Sequence, residues 1–169
     1  MIRPMRPQPA SAASDADPPT WRWCRFDDLT VFELDAIYRA RQQVFVIEQQ
    51  CSYLDADGFD PHSFHLAAWA HADRALPRAY ARVVLPGHKY AEPSLGRVIT
   101  TAAARGTGLG RELVRRALAH CAFAFPGHGI RISAQSRLER FYAELGFAPG
   151  GAPYLEDGIA HTEMLLPPR

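Results

Sequence analysis

The stretch Gly96–Phe125, GRVITTAAARGTGLGRELVRRALAHCAFAF, leaves this chain few ways to fold. Arg97–Thr101 carries β-branched residues in succession, the composition of a buried strand. Ala102–Gly108 turns the chain. Leu109, Leu113, Val114, Ala117, Leu118 and Cys121 then recur at helical spacing and give the next segment one apolar stripe. Glycines at 106, 108 and 110 place no Cβ between the backbone and an approaching ligand. The first helical N–H groups lack intrahelical acceptors and sit at the positive end of the helix dipole, where phosphate is attracted.

Spacing sorts the phosphate ligands. A P-loop needs Lys after its last glycine, and Arg111 follows Gly110. A dinucleotide fingerprint needs a third glycine where Arg111 stands. What remains is Arg105-Gly106-Thr107-Gly108-Leu109-Gly110, or R-x-x-G-x-G, between strand and helix. The bland alternative is a glycine-rich helix start with no ligand.

Net charge is +1, so no global basic field points to nucleic acid. No apolar run reaches membrane-spanning length. Cys24, Cys51 and Cys121 are odd in number, far apart and outside any C-x-x-C pattern, so a reducing, cytoplasmic setting is the simplest reading.

Residues 1–20 are rich in Pro, Ala and Ser and read as a flexible tail ahead of a folded domain over 21–169. Trp21–Phe26 alternates as a half-buried strand. Thr30-Val31-Phe32-Glu33 has a capping-box pattern, followed by one helical face of Leu34, Ile37, Tyr38, Arg41 and Phe45. His65–His71 and Arg78–Leu85 read as antiparallel strands joined by a short connection at Ala72–Pro77. After the central helix come a strand at Ile130–Ala134 and a second capping box, Ser136-Arg137-Leu138-Glu139, with a helix to Leu145. Phe147–Pro153 reads as strand end and turn, and Ile159–Leu166 as the last strand. The order is β-α-β-β-β-α-β-α-β-β: an α/β chain with one mixed sheet of about seven strands and helices on both faces. The strands flanking the central helix should be parallel neighbours through a right-handed crossover.

The R-x-x-G-x-G loop resembles the acetyl-CoA pyrophosphate loop of the GNAT acyltransferase superfamily. Phe141-Tyr142-Ala143-Glu144-Leu145-Gly146-Phe147 resembles its F-Y-x-x-x-G-F signature, and the element order agrees. Arg41–Asp60, Gly96–Ile99 and Glu156–His161 resemble the ElaA-like branch in particular. That branch usually has Pro where Ala160 stands, which predicts a looser turn before the last strand. The resemblance implies an N-acetyltransferase that moves an acetyl group from acetyl-CoA, its cosubstrate, directly to a primary amine of a small molecule or peptide. It names no acceptor. Metal, nucleic acid and membrane play no part in it, and a homodimer is compatible with it.

Three tasks follow for such a reaction. The cosubstrate is expected on the backbone of Val98, Ile99 and Thr100 and on the loop Arg105, Gly106, Thr107, Gly108, Leu109, Gly110 and Arg111, with both arginines adding charge. Tyr142 is the expected proton donor to the leaving sulfur, against a bland reading as a core tyrosine. The amine's proton is expected to leave through Glu48, whose neighbours are apolar in sequence, with His161 orienting the substrate or sharing the relay. A helix-end salt bridge from Glu48, for instance to Arg41, is the bland alternative. Tyr53, Asp57 and His65 are candidate substrate contacts, and the Asp55–Asp60 cluster would attract a cationic amine. That cluster does not fit an EF-hand, since Phe59 takes a ligand position and Gly58 is misplaced. Two other functions stay in view: an acyl-homoserine-lactone synthase, which shares the early R-x-x-V-F and acidic-loop pattern but lacks both GNAT motifs seen here, and a non-catalytic acyl-CoA-binding sensor.

Overall fold

A mixed sheet of eight strands organises the chain, in a computed structural model that describes residues 18–70 and 76–168. The tail expected over 1–20 lies outside the described residues up to residue 17, as does most of the connection expected at 72–77. The strands are β1 (Thr20–Arg25), β2 (Ser63–Trp69), β3 (Pro77–Val84), β4 (Ser94–Thr100), β5 (Ile130–Gln135), β6 (Ala148–Pro149), β7 (Tyr154–Glu156) and β8 (Ile159–Leu166). Their spatial order is β1-β2-β3-β4-β5-β8-β6, with β7 also on β8. The helices are α1 (Val31–Gln42), α2 (Leu109–Ala124) and α3 (Glu139–Ala143).

Alternation along the strands serves two cores. Leu66 and Ala68 face Leu113, Val114 and Ala117 of α2, while Ala67 and Trp69 face Ala36, Ile37 and Ala40 of α1. Helices therefore cover both faces, and α3 joins the α2 side through buried Tyr142. On the β1 edge, the Trp23 ring is sandwiched between Phe64 at 4.7 Å and His120 at 4.6 Å.

The expected cap at the start of α1 is present. The Glu33 N–H donates to Thr30 Oγ1 (3.2 Å), and Glu33 Oε2 accepts from the Thr30 N–H (3.0 Å). At its other end α1 widens into a π-helical turn, Gln43–Glu48, with the Gln49 N–H reaching Val44 O.

Two local expectations need correction. Ser136 does not cap a helix: Ser136–Leu138 is a 3-10 turn, and α3 spans Glu139–Ala143 only. Both partners of the expected box are engaged by β8 instead, where Thr162 Oγ1 meets Ser136 Oγ at 3.0 Å and donates to Glu139. The turn before the last strand is also tight. Asp157 (φ 49°) and Gly158 (φ 77°) form a two-residue connection between β7 and β8, with Glu156 opposite Ile159 and Ala160 in the ladder opposite Leu155.

Candidate active site

The strands β4 and β5 are parallel, as the crossover requires, but they register at one position, Ser94 opposite Arg131. Beyond it they splay. On its other side β4 stays paired with β3 as far as Thr100. The splay opens a cleft of about 800 Å³, walled by Ser94–Thr100, by Ile132–Gln135, by residues between 44 and 59, by Tyr142 and by the β7–β8 hairpin.

Strand β4 is bulged beside the cleft. Tyr80 faces Ile99 but Arg82 faces Gly96, so β4 holds one residue more than β3 over the same span. Arg97 takes the strain, with φ of 52°, unusual for a residue with a Cβ. The parity of the strand changes across it. Leu95 packs in the α2-side core and Ile99 in the α1-side core, although alternation alone would put them on one face.

Of the residues expected on the cosubstrate, Val98, Ile99, Thr100 and Arg105 line the cleft. Gly106, Thr107, Gly108, Leu109, Gly110 and Arg111 lie beyond it, at the start of α2. Gly106 and Gly108 have φ of 77° and 84°, so these glycines are required by the backbone itself, and a Cβ at either would meet no atom within 4 Å. Gly108 caps α2 without any side-chain hydrogen bond. Leu109 turns into the core, and Thr107 Oγ1 donates to Ala104 O at 2.8 Å. Arg111 pairs with Glu144 and stacks over the Phe141 ring at 5.4 Å, tying α2 to α3.

Tyr142 lines the cleft from α3 with 6% exposure, and burial pushes its phenol up to about 12. His161 lines it from β8. Its Nδ1 lies 2.9 Å from Ile159 O, and a carbonyl can only accept, so Nδ1 carries a proton and the lone pair of the neutral ring falls on Nε2. Glu48 also lines the cleft, but its partner is Arg105, which donates as well to Thr100 O at 3.1 Å. The salt bridge considered with Arg41 is not formed, because Arg41 is held by Asp55 and Asp60.

Among the expected substrate contacts, Tyr53 and Asp57 line the cleft and His65 does not. His65 is 1% exposed; its Nε2 donates to Asp60 O (3.0 Å) and its Nδ1 accepts from Tyr80 Oη (2.7 Å). With both nitrogens engaged, it anchors β2 and β3 under the acidic loop. Burial there lowers its pKa and keeps the ring neutral.

The acidic loop holds what sequence reading missed. Asp55, Asp57 and Asp60 interlace with Arg41, Arg82 and Arg97, and each aspartate faces two arginines. Asp55 meets Arg41 and Arg97, both at 2.8 Å. Asp57 meets Arg82 at 2.6 Å and Arg97 at 2.9 Å. Asp60 meets Arg41 at 2.8 Å and Arg82 at 3.0 Å. Burial raises the Asp57 carboxyl, but the hydrogen bonds and charge of Arg82, with Arg97 behind, overcome it and hold it at about 2. The six charges cancel, so the loop is a neutral lattice that fastens α1, β3 and β4 together. The Arg97 guanidinium also lies over the Tyr53 ring at 5.5 Å, and burial pushes that phenol up to about 12.

Among the described residues no group of three or more His, Cys, Asp or Glu could hold a metal ion, and no helix is long and apolar enough to cross a membrane.

Residues 79–167 match the model of the acetyltransferase (GNAT) domain. A UPF0039 protein from Synechocystis is 43% identical over 146 residues, covering 86% of this chain and 94% of that protein. The crystal structure of an acyl-CoA N-acyltransferase from Pseudomonas aeruginosa superposes with a TM-score of 0.82 at 36% identity, covering 87% of this chain and 98% of that one. That of Escherichia coli ElaA superposes at 0.80 and 33%, with the same coverage. The chain belongs to the GNAT acyltransferase family, in its ElaA-like branch. A CoA-dependent acyl-homoserine lactone synthase superposes at 0.72 but is 15% identical, a likeness of fold alone.

Proposed function

We propose that this chain transfers an acetyl group from acetyl-CoA directly to a primary amine of a small molecule or peptide. Residues 21–169 carry the catalytic domain, whose first strand begins one residue earlier, at Thr20. A cytoplasmic setting agrees with the free Cys24, Cys51 and Cys121. The observation that carries the reading is the splay of β4 from β5, which leaves one edge of β4 without a strand partner beside Tyr142 and His161. An extended pantetheine arm fits such an edge by pairing with the backbone of Val98–Thr100 as an added strand would. The start of α2, whose cap residue Gly108 brings no side chain, with Arg105 and Arg111 on either side of its glycines, suits the pyrophosphate.

The amine nitrogen attacks the thioester carbonyl, the C–S bond breaks, and CoA leaves as the thiol. A lysine-like amine, with pKa about 10.4, is about 1 part in 2,500 neutral at pH 7, a deficit of roughly 4.6 kcal/mol that a base must help meet. The Nδ1 bond to Ile159 O, which turns Nε2 over to the cleft as the acceptor nitrogen, supports His161 as that base. The pairing of Glu48 with Arg105 supports Glu48 as the residue that positions Arg105, its rival role being the base itself. A phenol near 12 donating to a thiolate near 8.5 is uphill by roughly 5 kcal/mol, so Tyr142 acts first as a hydrogen-bond donor to the developing sulfur charge. Tyr53 and Asp57 border the acceptor. Acetyl-CoA mixed with pooled amines should yield free CoA and an acetylated amine by mass spectrometry. Binding of CoA with no acylated product would make the chain a binding module instead.

A further inference from the structure

Of the 19 Lys and Arg residues in the sequence, one is lysine: Lys89. It lies between β3 and β4, five residues ahead of Ser94, and its side chain lines the cleft. Arg105 lines the same cleft from beyond the other end of β4. Lys89 thus stands at the acceptor end in the reading above, and Arg105 at the cosubstrate end.

The Lys89 ammonium has no carboxylate within ion-pair distance among the described residues, and its close contact is the Tyr90 ring, 5.3 Å from Nζ to centroid. The charges that face it are Glu156, Arg97, Arg82 and Asp57. Three of those four are bound to one another in the arginine–aspartate lattice. The Lys89 side chain is exposed at the mouth of the cleft, and the partial desolvation of its ammonium there, against the pull of Glu156, shifts its pKa downward and so favours the neutral, nucleophilic form. The arginines offer no such fraction, because a guanidinium stays protonated.

We infer that Lys89 is itself an acyl acceptor, a modification site acylated by the chain's own cleft. The inference rests on the acyl-transfer reading. Neutral Nζ attacks the thioester carbonyl carbon of a seated acyl-CoA and forms the C–N bond. The C–S bond breaks with its electron pair on sulfur, CoA leaves as the thiol, and the surplus ammonium proton passes to solvent. The product is an uncharged Nε-acyl-lysine in place of the single cationic amine at the acceptor end. Flexibility favours the step, since a four-carbon stem on a connecting loop can carry Nζ along the cleft.

The test is intact-mass measurement of the full chain incubated with acetyl-CoA and no added amine, followed by peptide mapping. One acetyl group is expected, on Lys89, at a rate independent of protein concentration and suppressed by excess free CoA. The folded chain should react at least about 10²-fold faster than the urea-unfolded chain, as held reactants do. K89R should take up none at that position, and mapping separates any label on the α-amino group. The inference is overturned if Lys89 stays unlabelled while the same preparation acetylates pooled amines, if folded and unfolded chains label equally, or if the rate scales with protein concentration. Failure of both labelling and transfer to pooled amines would overturn the functional reading as well.

Discussion

Asp60 offers a sharp test of the arginine–aspartate lattice. Its carboxylate is 2% exposed; Oδ1 accepts from Arg41 (2.8 Å) and Arg82 (3.0 Å), and Oδ2 accepts from Tyr38 Oη (3.1 Å). Asp60→Asn keeps the shape. The amide oxygen can still accept from both arginines, and the amide nitrogen can donate to Tyr38 once that hydroxyl rotates. Charge is what is lost, leaving three guanidinium groups against two carboxylates in a buried place. Removing one partner of a buried pair costs about 3–5 kcal/mol, and with the hydrogen bonds retained the lower figure applies. At about 2–4 °C per kcal/mol for a chain of this size, Tm should fall by about 6–12 °C. The pH dependence checks the cause. Burial works to raise the Asp60 carboxyl, but Arg41 and Arg82 overcome it and hold it below its ordinary value. A depressed carboxyl contributes stability that is full above the unfolded value, about 3.9, and is lost as pH falls through the folded value. Urea melts of wild type and variant should therefore differ by a constant amount near neutrality and converge below about pH 4. A gap under about 1 kcal/mol, or one that persists into acid, would refute the reasoning.

Three further outcomes are expected. Gly108→Val forces a β-branched residue to φ near 84° and should abolish the thermal protection that CoA gives wild type, about 2.7 kcal/mol at one hundred times Kd; Gly108→Asn, which tolerates that backbone, should keep part of it. Tyr142→Phe should lower kcat by roughly 10²–10⁴-fold with little change in CoA affinity, and an unaltered chemical step in single-turnover kinetics would return Tyr142 to the core. His161→Ala should remove the acidic limb of the pH profile of kcat/KM, while Glu48→Gln should keep that limb and raise KM for acetyl-CoA; the opposite pattern passes the base to Glu48.

What the sequence disclosed depended on how far apart the cooperating residues stand. The Thr30–Glu33 cap, the apolar stripe of α2 and the strands on either side of it are periodic or local signals, and all are present. The lattice joins Arg41, Arg82 and Arg97 to one loop across 14 to 42 residues, and no spacing rule reaches that far. The failed cap at Ser136 shows the same limit. Its motif is complete in sequence, but Thr162 on the last strand bonds to both ends of it. Tyr154–Glu156 escaped as a strand because three exposed residues carry no burial alternation, and pairing to β8 alone defines them. Glu48 read as a carboxylate among apolar neighbours because Arg105, its partner, lies 57 positions later.

The extra residue at Arg97 works like a frameshift in the alternation of β4. Upstream of it the odd positions address the core under α2; downstream they address the core under α1. Deleting one residue there would restore a regular strand and release the strained φ, a local gain. Ile99 would still stand opposite Tyr80 and face the core under α1, because Gly96 and Ile99 would then lie two positions apart, as Arg82 and Tyr80 do. What the extra residue adds is the Arg97 guanidinium itself, so a one-residue deletion and Arg97→Gly should cost alike, each leaving Asp55 and Asp57 one arginine short whatever strain it relieves.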